Sequence, residues 1–339
     1  MGKSVLVSGP KELRVSETGI PAPPPGEVRV RVRSAGICGS DVHIYHGTHP
    51  FVKYPRVIGH EFSGVIDAVG EGVSPALIGT RVSVNPAISC GHCYQCMIGR
   101  PNVCKNLQVI GVHREGGFAE YCCAPVENAY PVPDSISDAA AALVEPFSIA
   151  ANMLKRTGAF GHDIALVYGA GPIGLTLIQT LKWVYGVERL IVVDRLGSRL
   201  ALAKECGADA VLNTAESDLK EYLAAENIQP TLIIDAACHP SILAQATEIA
   251  APAARIGLMG FSSEPSCVSQ RLLNAKELTV YASRLNNKLF GDVIRWMGEG
   301  LLKPEKLISH RFPMADVGQA FHAIETTPAE CYKIVLDTK

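Results

Sequence analysis

Residues 164–181 run for eighteen positions without a charge, and the hexapeptide Gly169-Ala-Gly-Pro-Ile-Gly174 interrupts them. An apolar stretch of that length can cross a bilayer. Four Gly and Pro residues within six positions point instead to a strand, a tight turn and a helix. In that arrangement Gly169 permits the turn, Gly171 lets backbone approach a pyrophosphate, and Gly174 lets helix and strand pack closely. The helix start at Pro172 and Ile173 offers N–H groups and positive potential to phosphate oxygens. Asp194 closes the next apolar run, LIVVD, twenty residues beyond Gly174, where a carboxylate meets the adenosine ribose hydroxyls. That carboxylate repels a 2′-phosphate and so favours NAD over NADP; Arg195, next along, is the argument for NADP.

The flanking pattern fixes the fold class. From about residue 140 onwards, apolar runs (IALVYGA, LIVVD, AVLN, TLIIDAA, ARIGLMGF, LTVYAS) alternate with helical segments at Ile173–Tyr185, 197–206, 217–225 and 241–250. Strands apolar on both faces, separated by helices, make a parallel sheet covered on both sides. An alanine-rich helix over Ser137–Met153, interrupted at Glu145-Pro146, precedes them. The first third is different. Val5–Val7, Glu27–Arg33 with its strict VRVRVR alternation, Gly64–Val69 and Thr80–Asn85 are short strands between Gly- and Pro-rich turns, as in a small barrel or sandwich. A helix at Leu289–Gly298 and a strand in CYKIVLD complete the tail. With 339 residues, two domains are expected.

Composition excludes several functions. A formal charge of −2 gives no electrostatic footprint for nucleic acid or an anionic membrane, and 47% hydrophobic residues exclude disorder. MGKSVLVSGP lacks the apolar core of a signal peptide, so a cytoplasmic protein is expected. Eleven cysteines in a reducing compartment suggest metal rather than cross-links.

Cys90-x2-Cys93-x2-Cys96-x7-Cys104 offers four thiolates on one loop. Four protein ligands close a tetrahedral shell, so the expected occupant is a structural zinc with no position left for substrate; an iron–sulfur cluster competes for the same four cysteines. A looser set comprises Cys38, Ser40 and His43 in GICGSDVH, and His60 and Glu61 in IGHEF. A Cys and a His from two separate turns can hold zinc with an open position, as a catalytic site requires.

Together these motifs, with GGFAEY at 116–121, resemble the zinc-dependent medium-chain alcohol and polyol dehydrogenases along essentially the whole chain. YPRVIGHEF, CGHCYQC, LIIDAACHPSIL and LMGFSSEPS carry a closer likeness to a bacterial starvation-sensing branch and to sugar-acid dehydrogenases acting on L-galactonate or L-gulonate. The resemblance implies an α/β protein with a GroES-like β-barrel catalytic domain over 1–147, to which 289–339 returns, and a Rossmann doubly wound domain over 148–288. It implies two zinc ions per subunit. Cys38 and His60 bind the catalytic one, Glu61 is a ligand in some states of some members, and Glu145 matches a polyol-dehydrogenase glutamate that binds zinc directly or through water. Ser40 and His43 match a proton relay, and hydride passes to NAD.

The substrate is the least legible part. A sugar acid needs hydroxyl partners and a cation. Arg284 resembles an arginine facing the substrate, and Asn286, Tyr45, His113 and Arg114 are further candidates. The expected activity is oxidation of a secondary hydroxyl of a sugar acid, with L-gulonate to D-fructuronate as the specific expectation. A neutral polyol or L-threonine is the alternative substrate, and a sensing module on the same scaffold is the non-enzyme alternative. The family resemblance further implies a homodimer or homotetramer, often joined through the strand containing Leu278–Ala282.

Overall fold

A computed structural model describes residues 1–260 and 263–338. The chain divides into two compact units: Met1–Ser148 with Asn286–Glu299 and Lys303–Lys339, and Ile149–Leu285 with Gly300–Leu302. No helix among the described residues is long and apolar enough to cross a membrane.

The first unit is built on a seven-stranded sheet. Its path runs Ala129–Pro131, Arg81–Val84, Glu61–Val69, Glu27–Gly36, Lys333–Asp337 and Ile308–Pro313, with Tyr121–Pro125 also pairing with Glu27–Gly36. The VRVRVR alternation places Val28, Val30 and Val32 in the core. The last strand brings the distant C-terminal segment home, pairing antiparallel with Glu27–Gly36 so that Val335 lies opposite Gly36. A second sheet pairs Gly2–Gly9 with Glu12–Thr18 and Arg56–Val57.

The second unit carries six parallel strands in the spatial order Ala210–Asn213, Arg189–Asp194, Ile164–Tyr168, Leu232–Asp235, Arg255–Leu258 and Thr279–Ala282. This is the doubly wound arrangement whose strand order reverses beside the first strand. Leu166, Ile191, Ile233 and Ile256 are fully buried, as strands covered on both faces require. The charge-free stretch resolves into the strand Ile164–Tyr168, a turn and the helix Pro172–Gln179, which widens into a π-helical segment at Thr180–Tyr185. The strand expected to run on to Phe261 ends at Leu258, and Phe261 lies outside the described residues.

Several expected elements shift. The alanine-rich helix breaks at Leu143, between Asp138–Ala142 and Val144–Thr157, and not at Glu145-Pro146. Pro146 falls in the first turn of the second helix, where its missing N–H is no loss. The segment after Cys38 is the helix Gly39–His46, so Cys38 begins a helix instead of sitting in an isolated turn. The strand Glu12–Thr18 and the helix Val317–Thr326 are additions to the expected elements.

Candidate metal centres and dinucleotide turn

The four-cysteine loop converges. Sulfur–sulfur separations are 3.5 Å for Cys93–Cys96, 3.7 Å for Cys93–Cys104 and 3.4 Å for Cys104–Cys90. Four sulfurs each about 2.3 Å from one tetrahedral ion stand about 3.8 Å apart, so these spacings fit a single zinc. An iron–sulfur cluster distributes its thiolates over separate irons and holds them further apart, so it does not fit. The Cys93 thiol is lowered to about 6 by N–H groups of Cys96 and Lys105, in keeping with a thiolate ligand.

The second centre forms where three neighbouring strands of the first unit end. Glu27–Gly36 leads through Ile37 to Cys38, the N-cap of the helix Gly39–His46. His60 immediately precedes the strand Glu61–Val69, in which Glu61 lies opposite Gly36. A Cβ on Gly36 would displace the Glu61 carboxylate from its place. The Cys38 sulfur, a His60 nitrogen and a Glu61 oxygen all lie within 4.8 Å of one another. Glu145 is buried nearby but outside that triplet.

Two residues missed in the sequence organise the centre. Asp41, fully buried, accepts the Cys38 N–H at 2.9 Å and the Gly59 N–H at 3.2 Å, and its Oδ1 stands 3.7 Å from His60 Nδ1. Lys333, 3% exposed, donates to both Glu61 oxygens at 2.8 Å and to the Ile37 carbonyl at 3.2 Å. The signal for Lys333 was present: one lysine heads the otherwise apolar run KIVL, whose four side chains are all buried.

The electrostatics call for a cation. Asp41, Glu61, Glu145 and the Cys38 thiol face Lys333 and His60 in a buried site. Burial pushes Glu145 up to about 7, although the charges of His60 and Lys333 pull it down. Burial pulls the His60 imidazole down, but Asp41 and Cys38 outweigh it and the group sits well above its usual value. His60 Nδ1 is itself buried without a hydrogen bond. Thiol, imidazole and carboxylate form a donor set that suits zinc.

Ser40 is half-buried on the same helix, and His43, one turn on, is exposed. Thr48 Oγ1 lies 2.9 Å from His43 Nδ1 and donates to the His43 carbonyl at 3.3 Å. A hydroxyl has one proton to give, so Thr48 donates either to the His43 carbonyl or to His43 Nδ1.

The substrate candidates scatter. Tyr45 packs edge-on against Phe321, with ring centroids 5.2 Å apart. Arg114 is committed to Glu27 at 2.6 and 2.8 Å. Asn286 is buried and donates to Asn85 Oδ1 at 3.1 Å. Arg284 is an exposed side chain of the second unit. His113 accepts the Val109 N–H at 3.1 Å and stacks on Phe51.

In the second unit Gly169 has φ 92°, and a Cβ on Gly174 would lie 2.0 Å from the Gly169 carbonyl oxygen. Gly171 caps the helix that Pro172 and Ile173 begin. Asp194 accepts the Ala170 N–H at 2.8 Å and the Leu196 N–H at 2.9 Å, which fixes its carboxylate beside the turn. Arg195 is exposed.

Comparison with known proteins agrees with this geometry. The alcohol dehydrogenase GroES-like domain matches residues 24–134, and the zinc-binding dehydrogenase domain matches residues 172–299. The chain is 55% identical over 334 residues to the starvation-sensing protein RspB of Escherichia coli K12, covering 98% of both. It is 33% identical over 320 residues to L-galactonate-5-dehydrogenase of the same organism, covering 94% of this chain and 93% of that protein. A crystal structure of the alcohol dehydrogenase rspB from E. coli CFT073, complexed with NADH, superposes with a TM-score of 0.96 at 54% identity and 99% coverage of each.

Proposed function

Because the chain belongs to the zinc-binding alcohol dehydrogenases with a GroES-like domain, we propose that it oxidises a secondary hydroxyl of a sugar acid, with L-gulonate, oxidised at C5 to D-fructuronate, as the substrate. Membership makes the coarser activity plain: the protein is an oxidoreductase that uses zinc and NAD. The observation that carries the chemistry is the buried convergence of Cys38, His60 and Glu61 beside a helix bearing Ser40 and His43. The acid substrate is supported by the kinship with L-galactonate-5-dehydrogenase.

Cys38 and His60, with Glu61 or Glu145, would hold the catalytic ion, and Cys90, Cys93, Cys96 and Cys104 the structural one. Zinc in the first position supplies a Lewis acid that makes an alcohol proton easier to remove. Everything else falls to the chain. The reaction removes a hydride, taken by the nicotinamide, and a proton. Ser40 would pass that proton, and the exposed His43 would take it towards solvent. Asp41 faces His60 across 3.7 Å, and Lys333 holds Glu61 from behind. The Gly169–Gly174 turn and the helix it opens accommodate the pyrophosphate, and Asp194 the adenosine ribose.

We also propose a cytoplasmic location, since none of the eleven cysteines is in a disulfide, and a homodimer or homotetramer. The deciding experiment is an initial-rate screen of hexonates, neutral polyols and L-threonine with NAD and NADP. Hexonate oxidation with NAD is expected; polyol or L-threonine turnover without any hexonate turnover would overturn the acid substrate.

A further inference from the structure

We propose that His49 is the specificity residue for the acid end of the substrate, donating its Nε2–H to the carboxylate of a sugar acid held beside Cys38 and His60; this rests on the sugar-acid function above. His49 belongs to no motif. Its importance comes from the segments that close around the metal centre.

The helix Gly39–His46 ends at Gly47, with φ 77°, and the chain folds back so that the Thr48 N–H meets the His43 carbonyl at 2.9 Å. His49 follows directly and is therefore held beside the proposed proton relay. On its other side, the His49 ring lies edge-on to Phe51, with centroids 6.0 Å apart. Phe51 stacks on His113, with centroids 6.3 Å apart and an interplanar angle of 26°. His113 sits in a turn pressed against the residue preceding His60: a Cβ on Gly111 would lie 2.6 Å from the Gly59 carbonyl, and one on Gly116 2.5 Å from it. The Gly117 N–H closes the contact, bonding the Gly59 carbonyl at 2.8 Å. His43, His49, Phe51, His113 and His60 thus follow one another around one side of the centre.

The hydrogen bonds set the chemistry of the ring. His49 Nδ1 accepts the Phe51 N–H at 3.4 Å, so the neutral imidazole carries its proton on Nε2. Burial lowers the His49 pKa, and His60, His43 and His113 push the same way against the opposing pull of Asp41. The ring is therefore a neutral N–H donor near pH 7. Neighbouring cations are engaged: Lys333 by Glu61, Arg56 by Glu115 and Arg114 by Glu27. A carboxylate brought to this wall meets an N–H donor, and a hydrogen bond to an ionised oxygen is stronger than one to a hydroxyl.

The test compares zinc-loaded wild type, His49→Ala, His49→Gln and Lys53→Ala on hexonates and on the matching neutral alditols. Losing one donor to a charged group is expected to cut kcat/KM for hexonates about 10- to 100-fold, chiefly through KM. Alditol turnover should change less than about 3-fold, since it never used the charged contact. His49→Gln, which keeps an N–H donor, should recover part of the loss, and Lys53→Ala should change nothing. Calorimetric titration of a hexonate into the enzyme–NADH complex should show the same loss of affinity. Unchanged melting temperature and NADH affinity establish that the variants are folded. A wild type that prefers hexonates while His49→Ala keeps that preference overturns the role of His49 alone, as does a preference lost in Lys53→Ala. A wild type that oxidises no hexonate removes the acid substrate and the His49 contact together.

Discussion

At Cys38 the chain leaves a strand and enters a helix, and that change of direction turns a thiol towards His60 and Glu61. Cys38→Ala or His60→Ala is expected to lower turnover by more than about a thousand-fold, since the Lewis acid supplies several kcal/mol of the barrier reduction. NADH affinity should stay near wild type, and metal analysis should find only the zinc of the four-cysteine loop. Surviving turnover in either variant would remove zinc from the chemistry. Lys333 makes a separate prediction. Lys333→Met leaves Glu61 buried and unpaired and should cost about 3–5 kcal/mol of stability by denaturant unfolding; adding Glu61→Gln should restore part of it. Equal stabilities for the single and double variants would show that the ion pair does not hold this corner together. The ligands were legible because their chemistry lies in residue type: GHE, the four cysteines and the glycine turn announce themselves. Asp41 and His49 belong to no motif, and the lone lysine heading KIVL marks Lys333 without naming its partner, because Glu61 stands 272 positions away.

Elements were legible where periodicity was strong and obscured where packing overrode it. The apolar strands and helices of the second unit follow the expected alternation, because a strand buried on both faces has no polar position to confuse its reading. The helix Gly39–His46 was hidden, since eight residues opening Gly-Ser-Asp have little intrinsic preference for helix. Its start is capped locally, Asp41 accepting the Cys38 N–H in a box that no serine or threonine advertises. The break at Leu143 was misplaced to Pro146, which is a breaker in a helix interior but not in a first turn. One tight constraint on an element is the approach of the helix Pro172–Gln179 to the turn before it. Gly174→Ala places a methyl 2.0 Å from the Gly169 carbonyl oxygen, and backbone must move to admit it. The resulting strain should weaken NADH binding by about 10- to 100-fold, measured by quenching of protein fluorescence, with the zinc content unchanged. Wild-type affinity would mean that the turn does not cradle the pyrophosphate.

At the scale of the whole molecule, the sequence announced the fold class. Local signals in the tail showed only a helix and a strand; the register of Val335 against Gly36 arises from long-range pairing that no local pattern encodes. Assembly poses the same kind of problem. Thr279–Ala282 is the last strand of the parallel sheet, pairs among the described residues only with Arg255–Leu258, and carries no charge; Val280 is 39% exposed. An uncharged open edge is a template for pairing with another chain, and soluble proteins usually blunt such edges with lysine, proline or a bulge. None of these devices is present in TVYA. A second copy meeting this edge through a two-fold axis would continue the sheet and satisfy its outer backbone groups, which is how the proposed homo-oligomer would form. Val280→Lys places like charges opposite one another at that junction and should halve the mass measured by light scattering, while leaving the circular dichroism spectrum and NADH affinity intact. A wild type already monomeric would refute the assembly, whereas an oligomer indifferent to the substitution would move the interface to another surface.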